Sequence, residues 1–194
     1  FARDIGTALL LLQNAESQLQ LYRDIDQATA RRKQEEIALI QGRHRLAVRM
    51  LVIQSFSLLE CYLNGIAWDF LLHLYCEDAI TEKDRKLLED RNGKFRDKLI
   101  RYQHIIFNQP ILEETSDEIR FVLQVMKPFR DSLMHPSPFS RPDQFGGLDK
   151  LQRIYQLTDK DARQAVATVA AIISRIEEHR TGRQPSWLVC LGSQ

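Results

Sequence analysis

The sequence predicts an all-α helical bundle of about five to six helices, folded as a single domain over residues 1–194. Apolar residues recur at helical spacing through most of the chain, and no alternating strand pattern runs for more than a few residues. Apolar residues make up 44% and charged residues 27%, ordinary values for a soluble globular protein. We expect a core over about residues 44–180, a helical extension over 1–42 and a tail over 181–194.

The first half of the chain is expected to hold the extension and the central helix. Residues 2–40 carry four consecutive leucines at positions 9–12 and become charged over residues 30–36, which indicates a solvated helix face, with an RNA-facing patch as the alternative. Residues 44–76 are apolar nearly all round, as is a helix at the centre of a bundle. Polar residues interrupt this apolar stretch and argue against a membrane span: Arg49, Gln54, Glu60, Asn64, Asp69 and His73.

Start and stop signals divide the second half into shorter helices. A helix is predicted to begin at Thr81 and to end at the Asn92-Gly93 turn, and residues 94–107 are predicted to form the next one. The cations on this next helix, Arg96, Lys98 and Arg101, are interpreted as solvated surface, with the lining of an RNA groove as the alternative. Thr115 and Glu118 match a capping box, so a further helix should begin there.

The helix that follows the capping box is expected to reach Met134, with Pro128 kinking it. A Pro/Gly-rich loop over residues 136–147 comes next, and residues 151–157 are expected to be briefly extended. Thr158 begins a capped final helix.

Charge and cysteine content restrict the kind of protein. The net charge of +1 gives no global positive field, so contact with nucleic acid requires a local patch of cations. The 19 arginines outnumber the 8 lysines, which favours bidentate anion contacts. Three cysteines without CxxC spacing indicate neither a zinc ribbon nor a disulfide framework, and no signal peptide is visible. We expect a cytoplasmic protein.

The most informative segment places Arg130, Asp131 and His135 within six residues at a predicted helix end, stopped by Pro136. A guanidinium holds phosphate through fixed N–H donors, and an imidazole moves a proton near neutral pH. By composition alone, an arginine followed four to six residues later by a histidine is expected about 1.5 times in a chain of this length. The spacing is therefore not informative by itself, and the interpretation depends on the neighbouring residues. Asp131 lies four residues before His135 and is placed to pair with it.

Arg130 and His135 lie about 140° apart on an ideal helix, so they do not converge there. Pro136 disfavours helical geometry at His135, and local unwinding would bring the two side chains together. Alternatively, a symmetric dimer would pair the motifs of two chains across a cleft.

A polar stripe on the predicted central helix is formed by Ser57, Glu60 and Asn64 among apolar neighbours. A buried carboxylate needs a partner. Arg130 and the His135 ring are both candidates; the alternatives are another arginine or simple exposure of Glu60.

These two regions, residues 55–64 and 130–135, resemble the HEPN superfamily (higher eukaryote and prokaryote nucleotide-binding domains), with Asp131 at a place where Asn is common. The resemblance spans roughly residues 44–180. It implies a helical bundle with metal-independent endoribonuclease activity, often in toxin–antitoxin or antiphage systems, and two motifs that meet at the cleft of a homodimer. An antitoxin protein and RNA are the partners that it implies.

On this resemblance, Arg130 binds the scissile phosphate and His135 acts as general acid or base, while Asp131 and Glu60 orient them, supported by Ser57 and Asn64. Arg141, in the loop beyond the motif, is a candidate substrate contact. The alternative is a non-catalytic helical module that binds a nucleotide or a protein, since the family includes such members.

Neither a metal nor a cofactor is expected. The remaining histidines show no metal-ligand spacing, and Gly146-Gly147 lacks the strand–loop–helix setting and the lysine of a phosphate loop. The histidines concerned are His44, His73, His104 and His179.

Overall fold

The computed structural model describes residues 2–73, 80–90, 93–134, 156–185 and 187, and this part of the chain is helical with no strand. The prediction of an all-α bundle is therefore confirmed. Six of the described helices have eight residues or more, in agreement with the expected number. The elements are α1 (Ala2–Gln20), α2 (Gln27–Arg32), α3 (Gln34–Leu72), α4 (Glu82–Glu89), α5 (Phe95–Phe107), α6 (Asp117–Phe121), a π-helical turn (Val122–Met126), α7 (Lys127–Met134) and α8 (Asp159–Thr181).

Helix α3 is the axis of the bundle, and α1, α4, α5, α7 and α8 all contact it. Its buried side chains include Leu51, Phe56, Leu59 and Leu63, which belong to the same hydrophobic core as Ile172 of α8. By length and composition alone α3 is apolar enough to span a membrane. The same all-round apolarity suits its central position, because neighbouring helices cover several of its faces.

The N-terminal region differs from the expected single helical segment. Helix α1 ends at Gln20, and Asp26 begins α2 by accepting hydrogen bonds from the N–H groups of Ala28 and Thr29, both at 2.9 Å. An aspartate N-cap of this kind satisfies free backbone N–H groups at the start of a helix, so α2 begins as a separate helix after α1. Helix α3 consequently begins at Gln34, ten residues before the predicted start. Helix α1 itself packs on α3 and contributes to the core.

The predicted cap at Thr115 is wrong by one residue. Ser116 caps α6, since its hydroxyl accepts the Ile119 N–H at 3.3 Å. The irregularity predicted at Pro128 takes the form of the π-helical turn that precedes it, in which the Lys127 N–H donates to the Val122 carbonyl. Proline has no N–H to continue the regular ladder, and a π-helical turn adjusts the bonding just before it.

Helix α8 begins with the predicted cap. The Thr158 hydroxyl accepts the Asp161 N–H at 3.2 Å, and the Asp161 carboxylate accepts the Thr158 N–H at 3.0 Å. The helix ends at Gly182, whose φ of 68° is the left-handed conformation that glycine adopts without strain. The Pro/Gly-rich loop predicted over residues 136–147 lies outside the described residues, as do residues 151–155 of the stretch predicted to be extended over 151–157. At the end of that stretch Gln156 is helical and not extended.

Candidate functional site

A cleft of about 530 Å³ opens between α3, the beginning of α5 and α7. Its described lining holds four cations and two carboxylates over an aromatic floor. The Phe56 and Phe95 rings that form this floor are buried, with centroids 4.4 Å apart. The lining residues are Phe56, Glu60, Gly93, Lys94, Phe95, Arg96, Lys127, Arg130 and Asp131. The lining is therefore positive on balance, which is the local patch that the near-neutral chain requires for anion binding.

Arg130 is held at the cleft by a carboxylate on either side. Its guanidinium donates to Glu60 Oε2 at 3.2 Å and to Asp131 Oδ1 at 3.0 Å, and its central carbon lies 5.3 Å from the Phe56 ring centroid. The side chain is 30% exposed. These bonds use two of the five N–H donors of a guanidinium. The group is thus fixed in position while it keeps donor capacity for a ligand in the cleft.

Glu60 also faces a buried cation. The Lys98 ammonium is fully buried, and its Nζ lies 3.9 Å from Glu60 Oε1. Burying an ammonium requires a compensating negative charge. The Glu60 carboxylate therefore faces Lys98 with one oxygen and accepts a hydrogen bond from Arg130 with the other. Of the candidate partners of Glu60 that the sequence left open, Arg130 is one that the structure places in contact with it.

The interpretation of Lys98 as solvated surface is wrong. Lys98 lies on the same face of α5 as the buried Phe95, Leu99 and Tyr102, at the i, i+3, i+4 and i+7 spacing of an apolar helix face. That spacing was the available sequence signal.

Asp131 is engaged by two cations. Lys127 Nζ donates to its Oδ2 at 2.6 Å, and Arg130 donates to its Oδ1. Burial by itself raises the pKa of Asp131, but the hydrogen bonds and charges of Lys127 and Arg130 outweigh it and hold the pKa below its ordinary value. The carboxylate is therefore ionised at neutral pH and orients Arg130. Its predicted partner His135 lies outside the described residues, as do Pro136 and Arg141.

Lys94 and Arg96 bring the beginning of α5 into the same cleft. Lys94 is the exposed N-cap residue, with no side chain capping the helix there. The first N–H groups of a helix and its dipole favour anions at this end. Arg96 pairs with Glu114 across the rim. Arg96 and Lys127 also line an adjoining cavity of about 470 Å³, so the two spaces share a cationic wall.

Ser57 and Asn64 are both half-buried, and neither is among the described residues that line the cleft. Asn64 lies one turn beyond Glu60, about 6 Å along the axis of α3. The supporting roles of these two side chains stay predictions.

The cleft is suited to an anion rather than a metal cation. Both of its carboxylates, Glu60 and Asp131, already contact cations, and further positive groups surround them. A divalent cation would have to displace those partners.

Comparison with protein-family models, curated proteins and solved structures finds no match to this chain. The HEPN resemblance therefore rests on residues 55–64 and 130–135 alone, and the activity it implies is a proposal.

Proposed function

We propose that this protein is a metal-independent endoribonuclease of the HEPN type, with Arg130 binding RNA phosphate in the cleft. The observation that carries the proposal is the fixed Arg130 guanidinium between Glu60 and Asp131, with Lys94 and Lys127 lining the same space. A positioned guanidinium stabilises negative charge that develops on a phosphate during cleavage. In the sequence His135 directly follows Met134, the last residue of α7.

The proposed reaction is transesterification within the RNA strand. A base removes the proton of the 2′-hydroxyl, the 2′-oxygen forms a bond to phosphorus, and the bond from phosphorus to the 5′-oxygen breaks. An acid protonates the leaving oxygen, which gives a 2′,3′-cyclic phosphate and a 5′-hydroxyl end. The two proton transfers need two groups, and the two His135 side chains of a symmetric dimer supply them. A toxin or antiphage role, with an antitoxin as partner, accompanies this proposal through the HEPN resemblance.

The test is cleavage of single-stranded RNA by the purified protein in the presence of EDTA. We expect His135→Ala to abolish cleavage while circular dichroism shows unchanged helix content. The matched control is His104→Ala, because His104 is exposed on α5 and is not among the residues that line the cleft. Equal cleavage by the wild type and His135→Ala would show that the proposed chemistry is wrong.

The second candidate function is a non-catalytic module that binds a nucleotide or a protein. The observation that favours it is the double engagement of Arg130, which is also the arrangement of a structural ion pair. Under this function a nucleotide binds without being consumed, and the wild type cleaves no RNA. Arg130→Ala should lower the melting temperature under either function, because it breaks the contacts with Glu60 and Asp131. Cleavage by the wild type that Arg130→Ala loses at a temperature where the variant is folded argues for the ribonuclease instead.

A further inference from the structure

Three potential metal ligands from three different helices meet away from the cleft. Glu16 lies on α1, His44 on α3, and Asp159 is the first residue of α8. One ligand atom from each lies within 4.8 Å of the others. Within this group, His44 Nε2 lies 3.0 Å from Asp159 Oδ1. The residues are distant in sequence, so tertiary packing creates this cluster.

The distances are close to those of a zinc centre. Zinc holds imidazole nitrogen and carboxylate oxygen at about 2.0–2.2 Å, so two ligand atoms on a tetrahedral ion lie about 3.4 Å apart. The His44–Asp159 separation fits this value with a small adjustment, and the third ligand needs a shift of up to about 1.4 Å. His44 is 18% exposed, which leaves its ring partly enclosed between the helices.

Neighbouring groups orient the carboxylates and leave ligand atoms available. Arg163, one turn along α8 from Asp159, donates to Glu16 Oε2 at 2.7 Å and leaves the other oxygen of Glu16 for a metal. Such second contacts commonly fix the orientation of metal-binding carboxylates. The cap of α8 is made by Thr158 and Asp161, so Asp159 is not needed for it.

We propose that Glu16, His44 and Asp159 form a zinc site with three protein ligands and water at the open fourth position, and that the bound ion clamps the beginning of α8 against α1 and α3. An imidazole with two carboxylates suits zinc better than magnesium or calcium, which prefer oxygen alone. His44 and Glu60 lie sixteen residues apart on α3, about 24 Å along its axis. The site is therefore separate from the cleft, and the proposal does not depend on ribonuclease activity.

The experiment is a titration of the metal-stripped full-length protein with zinc, followed by calorimetry and thermal unfolding. We expect one zinc per chain and a melting temperature that rises with zinc concentration. His44→Gln should weaken binding by at least the ~10–100-fold that loss of a mere orienting group causes. His73→Gln is the matched control, because His73 contacts Asp69 within one helix and belongs to no three-ligand group among the described residues.

Asp159→Asn provides a second variant that keeps the helix cap, so failure to fold does not decide the result. Cobalt gives a spectroscopic reading, since its visible bands report binding directly. We expect these bands in the wild type and in His73→Gln, and their loss in His44→Gln. Zinc binding of equal strength in the wild type and His44→Gln overturns the proposal. A plain ion-pair cluster, in which His44→Gln lowers the melting temperature but zinc does not change it, also overturns it.

Discussion

Neutralising Glu60 is expected to destabilise the fold through the two cations that it contacts. Glu60→Gln keeps the size of the side chain but removes the charge that faces buried Lys98 at 3.9 Å and Arg130 at 3.2 Å. Glu60 is 24% exposed, so water screens the charges only partly. A hydrogen bond to a charged group contributes about 1.5–3 kcal/mol, and an exposed ion pair about 0.2–1 kcal/mol. We expect a loss of about 2 kcal/mol, at the lower part of the first range.

The assay is urea unfolding followed by circular dichroism. A lower midpoint with an unchanged slope against urea reports a change in stability alone. For a domain of this size, a loss of about 2 kcal/mol lowers the melting temperature by roughly 4–8 °C. The matched control is Glu114→Gln, which breaks the exposed pair with Arg96, where Glu114 is 46% exposed. Its cost should stay below about 1 kcal/mol.

A second measurement tests whether the charges of Lys98 and Glu60 stabilise the fold as a pair. Lys98→Met combined with Glu60→Gln removes both charges of the pair, so the double variant should lose less stability than the two single losses added together. Equal midpoints for Glu60→Gln and Glu114→Gln, or strict additivity in the double variant, would refute the view that Glu60 compensates Lys98.

Two further predictions concern the ends of the pH range. The pKa of Asp131 is lowered in the folded protein, so its contribution to stability is present above about pH 4 and is lost as the pH falls through the folded value. Asp131→Asn should therefore lose less stability than the wild type on acidification in urea unfolding series, and parallel curves would contradict this. Burial, followed by the charge of Asp90, raises the pKa of Tyr102 from 10.0 to about 12, so its contribution is present below pH 10 and is lost as the pH rises through about 12. Tyr102→Phe should show a shallower loss of stability above pH 10, and a slope equal to that of the wild type would show that Tyr102 does not titrate as described.

The sequence predicts the helical architecture from apolar periodicity, and it names Arg130 as one of several candidate partners of Glu60. An acid among buried apolar residues requires a cation, and Arg130 stood among the few candidates. The position of Lys98 was missed because a lysine on a helix is usually solvated, although its apolar neighbours on α5 indicated burial. The start of α3 was misplaced because residues 31–36 are mostly charged, and the apolar residues Ile37 and Ile40 that follow them were assigned to the preceding segment. The Glu16, His44 and Asp159 cluster has no local signal at all, since only the packing of three helices brings these side chains together.

The charges around Arg130 explain how a nearly neutral chain presents a cationic cleft. Lys98, Glu60, Arg130, Asp131 and Lys127 follow one another in space with alternating sign, so each carboxylate lies between two cations. This series of five charged side chains begins and ends with a lysine and carries one excess positive charge. The exposed Lys94 of the cleft adds a further positive charge. Screening confines this field to about 8–10 Å at physiological salt. The cleft therefore suits an anion that lies close to its fixed hydrogen-bond donors. The role of Arg130 in the proposed chemistry depends on the order of the charged side chains around it and not on the net charge of the protein.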